Sequence, residues 1–348
     1  MSITIDGIIF SLQRQGGISV YFRELIAHLE KVCVPATLTI DAQTIQDTPP
    51  SSGTLQVVQQ TSRWLERYRS ARDPAESTVL HSSYYRLPAR GRQASVVTVY
   101  DFTYERFIKG PALWVHRHQK HAAIRAAQAI ICISEATRDD LLEFVGVRSD
   151  QTIHVIPLGG GETYRPLDDV TSSSRDLLFV GERRGYKNFR LLLEALTFLT
   201  EHRVQCVGGG PLRTEEFEGI STDVRNRVSH LGFVTDEQLN GHYNRVAGLV
   251  YPSAYEGFGI PVLEAMRAGC PVVAVECKAV REVGGSALVV ASDASPAALA
   301  QAIKRLDDAI CRSKMISTGL KRATGFSWQA THERTLQVYR ELGGLPVE

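Results

Sequence analysis

Short β-branched runs alternate with helical stripes along this chain, and the alternation is played through twice with a glycine-rich break in the middle. In the first half, residues 3–5 form such a run, and a loop holding Gly16 and Gly17 follows. Ile18, Tyr21, Phe22, Leu25, Ile26 and Leu29 then recur at three- and four-residue steps, one apolar face of a helix. Residues 79–80, 95–99 and 129–133 read as strands, residues 122–127 as helix, and Ser134 as the N-cap of a helix carrying Leu141, Leu142 and Phe144. The polar stretch 43–53, with two prolines, reads as a loop. The glycines at 159–161 break the strand at 152–156, and there the alternation restarts. Strands are expected at 177–180, 204–207, 248–251, 271–275 and 288–290, and helices at 189–199, 261–268, 296–306 and 328–342.

Strands separated by helices of this length predict parallel sheets with helices on both faces. A chain of 348 residues has room for two such domains. The expected fold is α/β: two Rossmann-like, doubly wound domains, 1–160 and 161–325, then a final helical segment at 326–348. Sheets of this kind bind ligands beyond the carboxyl ends of their strands, and two of them predict a cleft.

A net charge of +1 excludes a general nucleic-acid binder. None of the six cysteines forms a CxxC pair, so zinc and thioredoxin-type sites are not expected. The N-terminus lacks the pattern of a signal peptide, and no run approaches the ~20 apolar residues of a membrane span, so the expected location is cytoplasmic. Charge is unevenly spread: between Arg63 and Arg125 stand twelve Lys or Arg against five acids. Two readings are open for that stretch, a solvated basic face and docking on an anionic membrane surface.

Four constellations carry chemistry. The first is EGFGIPVLE, from Glu256 to Glu264. Pro261 suits a first helical turn, so the amides of Phe258, Gly259 and Ile260 would point at whatever precedes the helix, an anion-favouring position. A carboxylate can take both hydrogen bonds of a vicinal diol, so two acids beside such a terminus suit a ligand with phosphate and hydroxyls. The plainer alternative makes Glu264 a partner of the helix dipole and Glu256 a surface acid. The second is FVGERRGYKNF, where Arg183, Arg184 and Lys187 follow a strand and a glycine turn. Fixed cations there suit a diphosphate; a basic loop without ligand is the alternative. The third, Gly208-Gly209-Gly210, lacks the dinucleotide-binding spacing, and a tight turn suffices for it. In the fourth, residues 232–234 read as a short strand, ending in a loop whose backbone could meet a flat base, with a helix start at Thr235.

In order, FVGERRGYKN, VGGGP, LGFVTDEQL and YPSAYEGFGIPVLEAMRAGCPVV resemble the donor domain of the family 4 glycosyltransferases, retaining enzymes of the GT-B fold. GGISVYFREL, VVTVYDFTYERF, AIICISEATRDDL and VIPLGG resemble their first domain, so the likeness covers nearly the whole chain. In detail it resembles bacterial enzymes that build O-antigen and other surface polysaccharides. The resemblance implies a nucleotide-sugar donor, GDP- or UDP-linked, a glycan or lipid-linked oligosaccharide acceptor, and no metal or other cofactor. It implies that Glu264 holds the ribose, Glu256 faces the donor sugar, and Arg183 and Lys187 neutralise the diphosphate with help from the amides around Phe258 and Gly259. The Phe233–Val234 loop would meet the base, and Gly16 and Gly17 the phosphates or acceptor. The final helix is expected to return to the first domain.

Two departures stand out. Glu182 occupies the place where the family often has Arg, which moves the cationic role to Arg183, with Arg184 in reserve. Tyr100 occupies the place of a family histidine that contacts the donor sugar. Tyr100, Asp101 or His81 is expected to take over that role; for His81 the alternative is a satisfied histidine at a strand end. Rival functions on the same fold are a nucleotide-sugar epimerase, a phosphorylase, or a non-catalytic nucleotide-sugar-binding module.

Overall fold

The computed structural model describes residues 2–13, 16–41, 52–72, 77–89, 94–168 and 175–346. The chain divides into two compact units, residues 1–159 with 328–348, and residues 160–327.

The first unit is built on β1 (Ile3–Asp6), β2 (Ala36–Asp41), β3 (Leu55–Gln60), β4 (Val79–Ser82), β5 (Ala94–Val99), β6 (Ala129–Cys132) and β7 (Thr152–Val155). The second holds β8 (Asp176–Val180), β9 (Arg203–Val207), β10 (Val228–His230), β11 (Gly248–Tyr251), β12 (Val272–Ala274) and β13 (Leu288–Val290). The strands are parallel, ordered β3-β2-β1-β4-β5-β6-β7 and β10-β9-β8-β11-β12-β13. Each sheet therefore grows one way from its first strand and then reverses. The reversal falls between β1 and β4 and between β8 and β11, where a doubly wound sheet takes its ligand. Two Rossmann-like α/β units are what the alternation predicted.

Local chemistry explains several boundaries. Ser134 caps the helix Glu135–Phe144 by accepting from the Thr137 amide at 3.0 Å. The helix Gly17–Lys31 buries Tyr21, Phe22, Leu25, Ile26 and Leu29, five of the six stripe residues. In the first unit the helix Trp328–Glu341 lies along it, with Tyr339 and Val338 buried and the Tyr21 hydroxyl 3.4 Å from that of Thr335. In the second, Leu177 and Phe179 of β8 pack with Phe189, Leu192 and Leu193 of the following helix.

The structure corrects other expectations. The strand expected at 232–234 is instead β10, ending at His230; Gly232 has φ +76°, outside extended backbone. β2 and β3 were not anticipated: β3 is an edge strand, half exposed, with little apolar signal. The helix expected at 122–127 begins at Pro111, because a first-turn proline needs no amide partner. Most of the expected loop at 43–53 lies outside the described residues. Among the described residues, no helix is long and apolar enough to cross a membrane.

Candidate functional site

At the switch point of the second unit, β8 ends at Val180 and Gly181 turns the chain at φ +128°, a region open to glycine. A single helical turn, Gly185–Lys187, follows, and Asn188 leads into the next helix in the left-handed conformation that asparagine tolerates. Across the switch point, β11 runs into the loop of Glu256. The Ala254 amide donates to the Tyr186 carbonyl at 2.8 Å, tying the two loops together. That tie brings Lys187 Nζ to 2.6 Å from Glu256 Oε1, with side chains 15% and 11% exposed. The Tyr251 hydroxyl also bonds Glu256. Two residues 69 positions apart, each expected at the donor, thus form one contact.

The helix that follows spans Ile260–Arg267, with Gly259 before it at φ +105°. The amides of Phe258 and Gly259 donate to no backbone carbonyl among the described residues. The Phe258 ring is buried edge-on against Phe326, so only its backbone is left for a ligand. Glu264 lies one turn in. The Tyr243 hydroxyl donates to its Oε2 at 3.0 Å. The Tyr164 hydroxyl also reaches it, and donates to Asp236 Oδ1 at 3.2 Å. Burial pushes the Glu264 carboxyl up to about 7; the tyrosines oppose that rise and Asp236 adds to it. Asp236 opens the helix Asp236–Arg245, capped by Thr235 and Gln238. Just before that cap, Phe233 stands 75% exposed beside Val234. The loop expected to meet a base and the acid expected to hold a ribose are therefore linked through Asp236 and Tyr164. Tyr164, Tyr243, Asp236 and Tyr251 carry no signal of this role in the sequence, since nothing in the pattern separates them from core aromatics and a helix-start acid.

Arg183 is a correction. Its side chain is wholly buried. It donates to the carbonyls of Gly208 at 2.6 Å, Gly209 at 3.3 Å, Gly210 at 2.8 Å and Pro211 at 2.9 Å, and to Glu216 at 3.1 Å. Gly208, Gly209 and Gly210 all have positive φ, which turns their carbonyls inward, and a Cβ on Gly209 would stand 2.9 Å from the guanidinium. The triple glycine is the socket of Arg183. Every guanidinium nitrogen is engaged inside the fold and the side chain is sealed from solvent, so Arg183 does not face a diphosphate. Arg184, the reserve, is exposed.

In the first unit His81 is also corrected. It lies inside β4, paired with Ile5 and Val96, fully buried. Its Nδ1 is 2.6 Å from the Tyr339 hydroxyl and its Nε2 2.9 Å from that of Thr98. Burial holds the ring down to about 3, so it is neutral and satisfied and faces no substrate. Tyr100 is buried near Tyr21, ring centroids 6.1 Å apart, its hydroxyl enclosed without a hydrogen bond of normal geometry. Asp101 is half-buried and accepts from the Thr103 amide at 2.9 Å. Gly16 and Gly17 sit at the start of the helix Gly17–Lys31, where Gly16 is extended, so its backbone does not demand glycine.

Residues 15–159 match a family model described as Glycosyltransferase Family 4, and residues 174–308 one described as Glycosyl transferases group 1. O-antigen chain mannosyltransferase B of Escherichia coli is 28% identical over 288 residues, 76% of this chain and 74% of that protein. Sucrose-phosphate synthase from Thermosynechococcus elongatus superposes with a TM-score of 0.79 at 20% identity, over 98% of this chain and 99% of that one. Anabaena Alr3699/HepE in complex with UDP-glucose gives 0.71 at 17% identity, over 98% and 100%. Likeness at such identities attests the fold alone.

Proposed function

The chain belongs to the family 4 and group 1 glycosyltransferases, and from that premise we propose that it moves a hexose from a nucleotide diphosphate sugar to a hydroxyl of a bacterial surface glycan. The sugar is mannose or a close relative, and the acceptor a growing lipid-linked chain of the O-antigen kind. Similarity to the Escherichia coli mannosyltransferase supports both. Retention of anomeric configuration follows from the family resemblance.

The observation that carries the reading is the contact of Lys187 with Glu256 at the β8–β11 switch point, beside the start of the helix Ile260–Arg267. On donor binding Lys187 exchanges Glu256 for the diphosphate, and Glu256 turns to the sugar hydroxyls. Glu264 takes the ribose, and the backbone at Phe233 and Val234 the base. The bond from the anomeric carbon to the leaving phosphate breaks as that to the acceptor oxygen forms, and the acceptor proton passes to the leaving phosphate. Lys187, with the amides of Phe258, Gly259 and Ile260, stabilises the charge that grows on the diphosphate without a metal. Gly16, Gly17 and Asp101 of the first unit are left to the acceptor.

A thermal-shift screen with UDP, GDP, ADP and dTDP tests this. A nucleotide at about 100 times its dissociation constant adds about 2.7 kcal/mol of stability. One nucleotide stabilising the wild type, and Glu264→Ala much less, is expected and names the base. Stabilisation by none of the four overturns the donor-site reading.

A further inference from the structure

The first unit carries a second surface that the transfer chemistry does not use. Trp64 is 80% exposed and Trp114 69%, and these are two of the three tryptophans in the chain. Leu65, Tyr68 and Val115 are each 49% exposed beside them in sequence. Large apolar side chains scattered singly over a surface need no explanation; a cluster with two bare indoles does.

The segments that carry them are joined. The Gln119 amide nitrogen donates to the Arg67 carbonyl at 2.7 Å, which fastens the 64–69 turn to the helix Pro111–Ala126. The Arg67 guanidinium lies 5.0 Å from the centre of the Tyr84 ring, and the Tyr84 hydroxyl 3.4 Å from His116 of that helix. The Tyr104 ring stacks on His116 at 3.9 Å, which brings in the 104–110 segment. Leu65 holds a left-handed backbone at φ +57°, costly for a branched residue, just where the turn presents Trp64.

Charge is sorted across the same surface. Glu66 turns inward to Arg63 and Arg86, each at 2.7 Å. The Glu105 side chain is 2% exposed, against Lys120 at 3.1 Å and His121 at 3.2 Å. Arg69, Lys109 and Arg117 are exposed. Glu66 and Glu105 are thus held inside while Arg69, Lys109 and Arg117 face out. The two indoles, apolar in body and polar at the ring N–H, suit the boundary between headgroups and acyl chains, and the cations suit anionic headgroups.

We propose that the 64–69 turn, the 107–110 segment and the exposed face of Trp114, Val115 and Arg117 form a docking surface for an anionic lipid bilayer. Trp64 and Trp114 enter the interface, and Arg69, Lys109 and Arg117 pair with the headgroups. This stands independently of the donor site, because vesicle binding is measured with no sugar present, so either idea can fail alone.

The test uses the full chain with vesicles of phosphatidylcholine, alone or with one part in three phosphatidylglycerol. Sedimentation is expected with the anionic vesicles at low salt, with a blue shift of tryptophan emission. Lys109→Gln with Arg117→Gln weakens binding about 30-fold and lowers its salt dependence. Trp64→Ser with Trp114→Ser weakens it at least about tenfold and abolishes the blue shift. Both pairs are exposed, so an unchanged melting temperature and an unchanged response to nucleotide are expected in each. Failure to bind anionic vesicles at low salt overturns the proposal. So does binding that neither pair weakens, or a dimer in light scattering that the tryptophan pair makes monomeric, which would assign the surface to a second copy.

Discussion

At the switch point of the first unit, Arg86, just after β4, reaches Asp6 of β1 at 3.0 Å; at that of the second, Lys187, just after β8, reaches Glu256 beyond β11 at 2.6 Å. The strand order around the reversal is the same, but the charges are transposed: the acid stands on the first strand and the cation after its neighbour in the first unit, and the cation after the first strand and the acid beyond its neighbour in the second. The surroundings differ. Arg86 and Asp6 are 4% and 3% exposed, and Arg86 also donates to Glu66 and to the carbonyls of Arg69 and Ser70. Its planar fork is fixed on several sides, and Glu66 is itself held down to about 2 by hydrogen bonds and charge from Arg63 together with Arg86. Lys187 has a flexible stem, one carboxylate, and the rings of Tyr186 and Tyr251 at 5.4 Å and 5.6 Å. A point charge of this kind can exchange a carboxylate for a phosphate without dismantling its support. The switch point thus holds a many-sided buried clamp in one unit and a singly paired, partly exposed cation in the other.

The sharpest way to break the comparison is Arg86→Met. Removing one partner of a buried pair strands the other, and a loss of about 3–5 kcal/mol in stability by chemical denaturation is expected. Stability within error of wild type would show that the first pair is no clamp. Next in size, Lys187→Ala is expected to lower kcat about 100- to 1,000-fold, the usual range for removing one group that stabilises charge in the transition state. Its folding cost should stay near about 1–2 kcal/mol, because Glu256 keeps the Tyr251 hydroxyl and some solvent. Equal losses of stability in both variants would erase the distinction.

The smallest effect concerns pH. The carboxyl of Glu264 sits near 7 in the folded chain, above its ordinary 4.5, because of burial. The folded state then binds the proton more tightly than the unfolded, so ligand-free stability falls as pH rises between these two values. The ribose contact proposed for Glu264 has hydroxyls donating to the ionised carboxylate, so on that proposal nucleotide affinity should rise roughly tenfold from about pH 6 to about pH 8. Melting temperature should therefore fall with pH without nucleotide and stay level with it, because the gain in affinity offsets the fall. Glu264→Gln should remove the ligand-free slope, and a slope that survives in that variant belongs to another group.

The segments proposed for the donor were legible in the sequence wherever local rules governed them. EGFGIP announces a loop and a helix start through residues that touch each other along the chain. Arg183 and Lys187 show where such legibility stops. Both are cations in one basic loop, and nothing local distinguishes them. The triple glycine, 25 positions beyond Arg183, takes its guanidinium; Glu256, 69 positions beyond Lys187, takes its ammonium. His81 is harder still, since its partner Tyr339 lies 258 positions away.

By itself the sequence determined the alternation of strand and helix, and hence two parallel-sheet units. It also determined helix starts, with Ser134 and Pro261 as instances. Steric limits on φ and ψ, apolar periodicity and the valence of a helix end act over a few residues, so they can be read without the fold. Only the tertiary structure decided which charges are sealed and which can be exchanged. Burial and pairing depend on which distant residues close around a side chain, and a guanidinium ringed by carbonyls has the same local sequence as one facing water.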